Sequence, residues 1–400
     1  MLNDKIKSAP WEQYQALYLH TPFCRQKCLY CDFASYAGFG EEVMQAYTKA
    51  VIKEIEARTI EVQNMAEHAS IYFGGGTPSV LPVECIAQLV AALKKQGFWR
   101  TPCEATIEVN PGTADLVKLQ ALRELGFDRI SFGVQSLNDD ELKTIGRIHT
   151  AQQALEAIAL AQRAGFKRIS ADVIYGLPKQ TLESLRKTLE SLIATGIEHI
   201  SVYGLIVEEG TPLAELVEKG KMQLPDEDTA ADMYDLVQSF LKKQGFTRYE
   251  ISNYAKNGQY SRHNTVYWRY HPYVAFGAAA CGFDGARRRT AMAGVADYID
   301  KAQQLTCASW RTSDVYTIEE LDNKMQLEEF MFMGLRRAEG ADLAEARARF
   351  GVDVLERFAK ELAPFMKQNM VQYDEKTQHL RLTERGMAIG NQIFDIFVII

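Results

Sequence analysis

The chain has 400 residues, 47% of them apolar, and a formal net charge of −7. That length suits one large α/β barrel or two to three domains with a sizeable core. The acidic balance argues against a nucleic-acid binder that works through phosphate contacts. No apolar run approaches a bilayer span, and the tail Ile396 to Ile400 is far too short for one. Met1 to Ile6 lacks a basic stretch followed by an apolar one, so no signal peptide is expected. Seven cysteines, an odd number with three of them clustered, fit a reducing, cytoplasmic compartment better than a disulfide framework.

The elements follow in chain order. Ala16 to His20 reads as a first strand that Pro22 breaks, ahead of Cys24, Cys28 and Cys31 in C-x3-C-x2-C spacing. Thiolates this dense repel one another unless a metal neutralises them. The spacing alone admits an iron–sulfur cluster, a Cys3His zinc site with His20, or buried free thiols. Helical spacing runs from Glu41 to about Arg58, and Ser70 to Phe73 is a short strand entering the glycine-rich turn Gly74 to Ser79. A helix over Val83 to Gln96 and a strand over Ala105 to Val109 come next, with a turn at Asn110 to Gly112. Leu125 to Ser131, Ala164 to Ser170 and Thr195 to Ser201 then echo one helix–glycine–strand pattern, more weakly repeated from Gln244 to Glu250. Repeated in this way, the pattern predicts about six parallel βα units up to residue 245, an α/β fold. Polar residues just after nearly every strand favour a barrel over a doubly wound sheet. Residues 246–312 form an aromatic-rich connecting region, and 313–400 a helix-rich domain closing with a strand-turn-strand from Val371 to Leu382.

Glu108, Gln135 and Asp172 are odd polar groups in apolar runs, and Arg147 follows a strand. A charge buried at a strand end needs a partner. An internal ion pair such as Glu108 with Arg147 is the plain alternative to a binding site.

With Tyr30 before the last cysteine and Tyr18-Leu-His-Thr-Pro-Phe before the first, the loop resembles the radical S-adenosylmethionine (SAM) superfamily, within it the oxygen-independent coproporphyrinogen III oxidase-like family. The resemblance implies a partial, six-stranded TIM-type barrel with a small C-terminal winged-helix-like domain. It implies a 4Fe-4S cluster on Cys24, Cys28 and Cys31 whose open iron binds S-adenosylmethionine and whose electron cleaves the sulfonium to a 5′-deoxyadenosyl radical. Gly75, Gly76 and Thr77 would hold the methionine moiety. Glu108, Gln135, Arg147 and Asp172 would line the pocket, with Tyr18 and Tyr30 beside it and Ile206 and Cys281 at its edge.

One departure is informative. Coproporphyrinogen-oxidising members carry a further cysteine two residues after the last cluster ligand, where this chain has Phe33. The same departure marks a heme-chaperone sister branch. That branch's H-N-x-x-Y-W motif is complete here in His263, Asn264, Tyr267 and Trp268. The resemblance implies heme at His263, with Arg262 and Arg269 for the propionates and His271 as the fallback ligand. A capped loop with packed aromatics, in which His263 only hydrogen-bonds, is the plain alternative. The expected function is heme binding and delivery to apo-hemoproteins, with an electron donor for the cluster. Oxidative decarboxylation of coproporphyrinogen III is the runner-up, and a zinc protein with a winged-helix DNA reader the third reading. A monomer or homodimer is expected, with possible peripheral membrane contact through Arg287 to Arg289.

Overall fold

The computed structural model describes residues 9–398, so Met1 to Ile6 and the last two residues of the apolar tail lie outside the described residues. The centre is six parallel strands, hydrogen-bonded in chain order: β1 (Tyr14–Thr21), β2 (Met65–Gly75), β3 (Ala105–Val109), β4 (Arg129–Gln135), β5 (Arg168–Tyr175) and β6 (His199–Gly204). Helices carry the chain back between them: α1 (Glu41–Ala57), α2 (Val83–Gln96), α3 (Leu116–Leu125), α4 (Ala151–Arg163) and α5 (Leu182–Ala194), with α6 (Glu227–Lys243) after β6. The echoed glycines, Gly126, Gly165, Gly196 and Gly245, all have positive φ just past a helix end, so one turn chemistry explains the repeat. The α/β class and the six-stranded parallel centre are those the sequence predicts.

Parallel strands covered on both faces usually read as continuous apolar runs. These alternate instead. Leu17, Leu19, Ile71, Phe73, Ile107, Ile130, Phe132, Ala171 and Val202 join the core shared with the helices. Their neighbours Tyr18, Tyr72, Glu108, Ser131, Asp172 and Ser201 take the opposite face. The register aligns that face: Tyr18 lies opposite Tyr72, Glu108 opposite Ser131, and Asp172 opposite Ser201. The polar face is therefore a continuous lining rather than scattered exceptions.

Residues read as a connecting region, together with the start of the segment read as the C-terminal domain, extend this sheet at both edges. β7 (Asn253–Ala255) runs antiparallel to β6. After α7 (Arg262–Trp268), β8 (Tyr273–Phe276) adds parallel to β1, followed by antiparallel β9 (Cys281–Phe283), β10 (Arg287–Ala291) and β11 (Tyr316–Glu320). A buried carboxylate fixes this edge. Glu54 on α1 pairs with Arg58 at 2.7 Å and accepts from Tyr316 Oη at 2.8 Å, the Gly277 amide at 2.9 Å and the Tyr298 hydroxyl. Sequence periodicity cannot register such a contact, because its partners lie far apart along the chain.

The C-terminal domain has its own core around Phe330, Met331, Leu335, Phe350 and Leu380, which Tyr270 and Phe283 join from the preceding segment. It holds α8 (Asn323–Leu335), α9 (Leu343–Phe350), α10 (Ala359–Lys367) and the hairpin β12 (Val371–Asp374) and β13 (His379–Leu382). Among the described residues no helix is long and apolar enough to cross a membrane. The basic triplet is not a free cationic patch: Arg287 pairs with Glu320 at 3.0 Å, Arg288 pairs with Glu319 at 3.1 Å and with Glu329, and Arg289 lies over the Trp310 ring.

Candidate functional site

The site forms where the parallel strands end. β1 delivers the cysteine loop, and β2 delivers the glycine turn beside it. The Gly76 amide donates to the Thr21 carbonyl and the Thr77 amide to the Phe23 carbonyl, each at 2.8 Å. A Cβ on Gly76 would sit 2.8 Å from the Phe23 carbonyl oxygen and 3.1 Å from Cys24 Sγ, so only glycine lets the two loops touch. Gly75 has φ +112°, and a Cβ there would meet the His20 ring at 2.5 Å.

Each thiol of the cluster motif has a polar side chain against it. Thr77 Oγ1 lies 3.5 Å from Cys24 Sγ, Arg147 Nη1 donates to Cys28 Sγ at 3.4 Å, and Ser35 Oγ lies 3.7 Å from Cys31 Sγ. Arg147 is anchored by Nη2, which donates to Asn110 Oδ1 at 2.9 Å and to the Gly133 carbonyl. That carbonyl is turned out by an irregularity in β4, where Gln135 takes φ +66°, a left-handed conformation unusual for a side chain of its size. Asn110 Nδ2 donates to Thr77 Oγ1 at 2.8 Å, so one amide links both anchors. Sequence reading took Asn110 as a turn residue; its place immediately after a strand was the available signal.

The polar lining continues inward. Glu108 accepts from Tyr72 Oη at 2.7 Å and from the Gly75 amide at 3.1 Å, and burial pushes its carboxyl up to about 7. Asp172 accepts from Ser131 Oγ at 3.3 Å and is likewise raised by burial. Glu108 and Arg147 thus go to separate partners, and the ion pair considered from sequence is not formed. Tyr18 bonds His20 Nδ1 at 3.0 Å, while Tyr30 packs against Ile145, Ile174 and Leu177. His149 Nε2 meets the Val134 carbonyl at 3.2 Å and takes no part in the thiol group. Ile206 is exposed, and Cys281 is half-buried at the start of β9.

His263 is not brought to this mouth. It is fully buried on α7, Nδ1 bonded to Ser70 Oγ at 2.9 Å and Nε2 to Tyr267 Oη at 2.7 Å. Ser70 lies within β2, four residues before Gly74, which sets His263 toward the floor of the barrel, beside Tyr72 of the polar lining. Its ring stacks on Tyr72 at 4.8 Å, and burial pulls its pKa down to about 3. Glu104 caps α7, accepting from the Arg262 and His263 amides at 3.1 Å and pairing with Arg168 at 2.6 Å. Both ring nitrogens are engaged, so ligation of iron by His263 Nε2 would require breaking its bond to Tyr267.

The donor set at the mouth fits an iron–sulfur cluster. His20 is spent on Tyr18 and, through Nε2, on the Ala34 carbonyl at 2.9 Å, which removes the fourth ligand a Cys3His zinc would need. The three thiols carry the hydrogen-bond partners that cluster sulfurs use. When bound, a cluster with one open iron supplies electrons to S-adenosylmethionine. The chain's own residues hold the loop, orient the thiols through Thr77, Arg147 and Ser35, and present Glu108 and Asp172 as acceptors.

Comparison with known proteins agrees. The Radical SAM superfamily profile matches residues 18–192 and the HemN C-terminal domain profile residues 321–389. Heme chaperone HemW of Lactococcus lactis subsp. lactis is 33% identical over 382 residues, 96% of this chain and 97% of that protein. This chain belongs to the HemW family of radical SAM proteins. The HemW of Bacillus subtilis is 34% identical, covering 96% of this chain and 99% of that protein. A further relative, radical S-adenosyl methionine domain-containing protein 1, mitochondrial, of Danio rerio, is 35% identical over 84% of this chain and 76% of its own length. The solved structure of coproporphyrinogen III oxidase (HemN) from Escherichia coli superposes with a TM-score of 0.81 at 22% identity, over 97% of this chain and 91% of that one. At that identity the likeness speaks for the fold.

Proposed function

We propose that the chain binds heme and passes it to apo-hemoproteins in the cytoplasm. In this reading Cys24, Cys28 and Cys31 hold a 4Fe-4S cluster fed by an electron donor. Gly75, Gly76 and Thr77, with Tyr18, Tyr30, Glu108, Gln135, Arg147 and Asp172, hold S-adenosylmethionine. The observation that carries the reading is Phe33. It is 69% exposed beside the thiols, at the position where the oxidising branch of the family has a cysteine. A phenyl ring neither ligates metal nor exchanges a proton. Its exposed edge suits contact with a flat apolar molecule or a partner protein instead.

The test is anaerobic incubation of cluster-reconstituted protein with S-adenosylmethionine, reductant and coproporphyrinogen III, beside a heme titration. Saturable heme binding with no protoporphyrinogen formed is the expected result. Formation of protoporphyrinogen with loss of two carboxyl groups as carbon dioxide would overturn it and make the chain an oxidase.

A further inference from the structure

At the start of β1, the end opposite the cysteine loop, lies a small cavity of about 290 Å³. Its walls include the 3-10 turn Thr59–Asn64 after α1, strand β10, and the 3-10 turn Trp310–Thr312 before β11. We propose that this cavity binds a phosphate-type oxyanion, held by Arg289, Arg311 and the indole N–H of Trp310.

Two buried donors in the lining have no partner, Arg289 Nη1 and Trp310 Nε1. Trp310 is only 2% exposed. Buried donors are normally paired, so two orphans sharing one cavity point to an occupant. Among the described residues Arg289 forms no side-chain hydrogen bond and no ion pair, unlike its neighbours Arg287 and Arg288. Its guanidinium lies 4.7 Å from the Trp310 ring centre, and that of Arg311 lies 4.5 Å from it. Burial, and after it the charge of Arg58, hold Arg289 below the ordinary arginine range. A bound anion would offset both.

The carboxylates of the lining do not fill that role. Glu61 accepts from Arg58 Nε at 2.8 Å, and Asp284 accepts from the Ala286 and Arg287 amides at 3.0 and 2.8 Å. Arg287 pairs with Glu320, which is outside the lining. Arg289 and Arg311 are the lining cations left without a carboxylate among the described residues.

The donor set narrows the ligand class. Donors come from β10 and from the Trp310 turn, with the exposed amides of Gln63 and Asn64 on the α1 side. Donors on separate elements suit a tetrahedral oxyanion, whose oxygens accept in several directions, better than a planar carboxylate. The volume falls just below the roughly 300–1,000 Å³ of drug-sized sites, as a phosphate or a phosphomonoester head requires. Bound there, the anion would tie the added sheet-edge strands to the turn after α1.

The experiment is a titration of the full chain with sodium phosphate at constant ionic strength, balanced with chloride, read by calorimetry and by melting temperature. Glycerol phosphate and succinate are titrated in parallel, on the natural protein and on Arg289→Gln and Trp310→Phe. Saturable, single-site phosphate binding with a matching rise in melting temperature is expected. Arg289→Gln is expected to weaken it by about tenfold or more. Trp310→Phe keeps a ring beside the guanidiniums but loses the N–H, and is expected to weaken it a few-fold. Glycerol phosphate binding more tightly than phosphate would support the site and make its ligand a phosphorylated molecule; equal or weaker binding would support a free anion. Natural-protein affinity in Arg289→Gln would overturn the site, because general salt stabilisation does not depend on one arginine. Absence of saturable binding in the natural protein would overturn it too, with water filling the cavity. Succinate binding more tightly than phosphate would overturn the ligand class. If Arg289→Gln does not fold, unchanged phosphate affinity in Trp310→Phe overturns the proposal in its place.

Discussion

At the floor of the barrel, histidine, glutamate and arginine have their polar atoms in use. His263 bonds Ser70 and Tyr267; His199 bonds Ser170 and Tyr249, each at 2.7 Å; Glu104 serves two amides and Arg168. At the mouth, Arg147 Nε and Thr21 Oγ1 are buried without a partner, and the three thiols have only long contacts to polar side chains. Buried polar groups are normally satisfied because an unpaired one costs about 1–3 kcal/mol. Neither end is wholly satisfied, since Thr106 Oγ1 on β3 and Trp268 Nε1 on α7 are also buried without a partner. What sets the mouth apart is that its unpaired Arg147 Nε belongs to a side chain that touches a thiol.

Three substitutions would break or sharpen this contrast. The largest expected effect is at the mouth: Cys28→Ser should nearly abolish iron and sulfide incorporation on anaerobic reconstitution. The metal-free protein should keep its stability to within about 0.5 kcal/mol, because the loop lies outside the core. Full iron content in that variant would refute the ligand assignment. Next is Glu104→Ala at the floor, which leaves two α7 amides unpaired and takes one partner from half-buried Arg168. Arg168 keeps Asp128 and the Tyr260 carbonyl, and the substitution should cost about 3–5 kcal/mol in urea unfolding. If its cluster loading fell while stability held, the floor would belong to the site.

The smallest effect comes from His263→Ala, about 2–4 kcal/mol, and it carries a pH signature. The folded imidazole is pulled from 6.5 to about 3, so its contribution is complete above pH 6.5 and lost as pH falls towards 3. The natural protein should lose stability steeply across that window, and the variant more gently. Parallel curves would show that His263 titrates normally and is not sealed in the floor.

Local chemistry made much of this molecule legible. The helix–glycine–strand echo specifies its turns through one backbone conformation, and alternation along each strand marks Glu108 and Asp172 as groups on an unusual face. The C-x3-C-x2-C spacing, the glycine turn and Phe33 are also local, which is why the family and the mouth of the barrel follow from the sequence alone. Which end of the barrel a distant segment reaches is a different kind of fact. His263 and the aromatic residues after it look like a heme site in isolation. They become a floor because Glu104 and Ser70, some 159 and 193 residues earlier, meet them there. Residues 246–312 read as a connector, and Tyr316 as part of the C-terminal domain, until Glu54 gathers Tyr298, Tyr316 and Gly277 into the sheet edge. Sequence determines what each short stretch can do; only the packing of remote stretches decides which polar groups are used up and which are left open for a ligand.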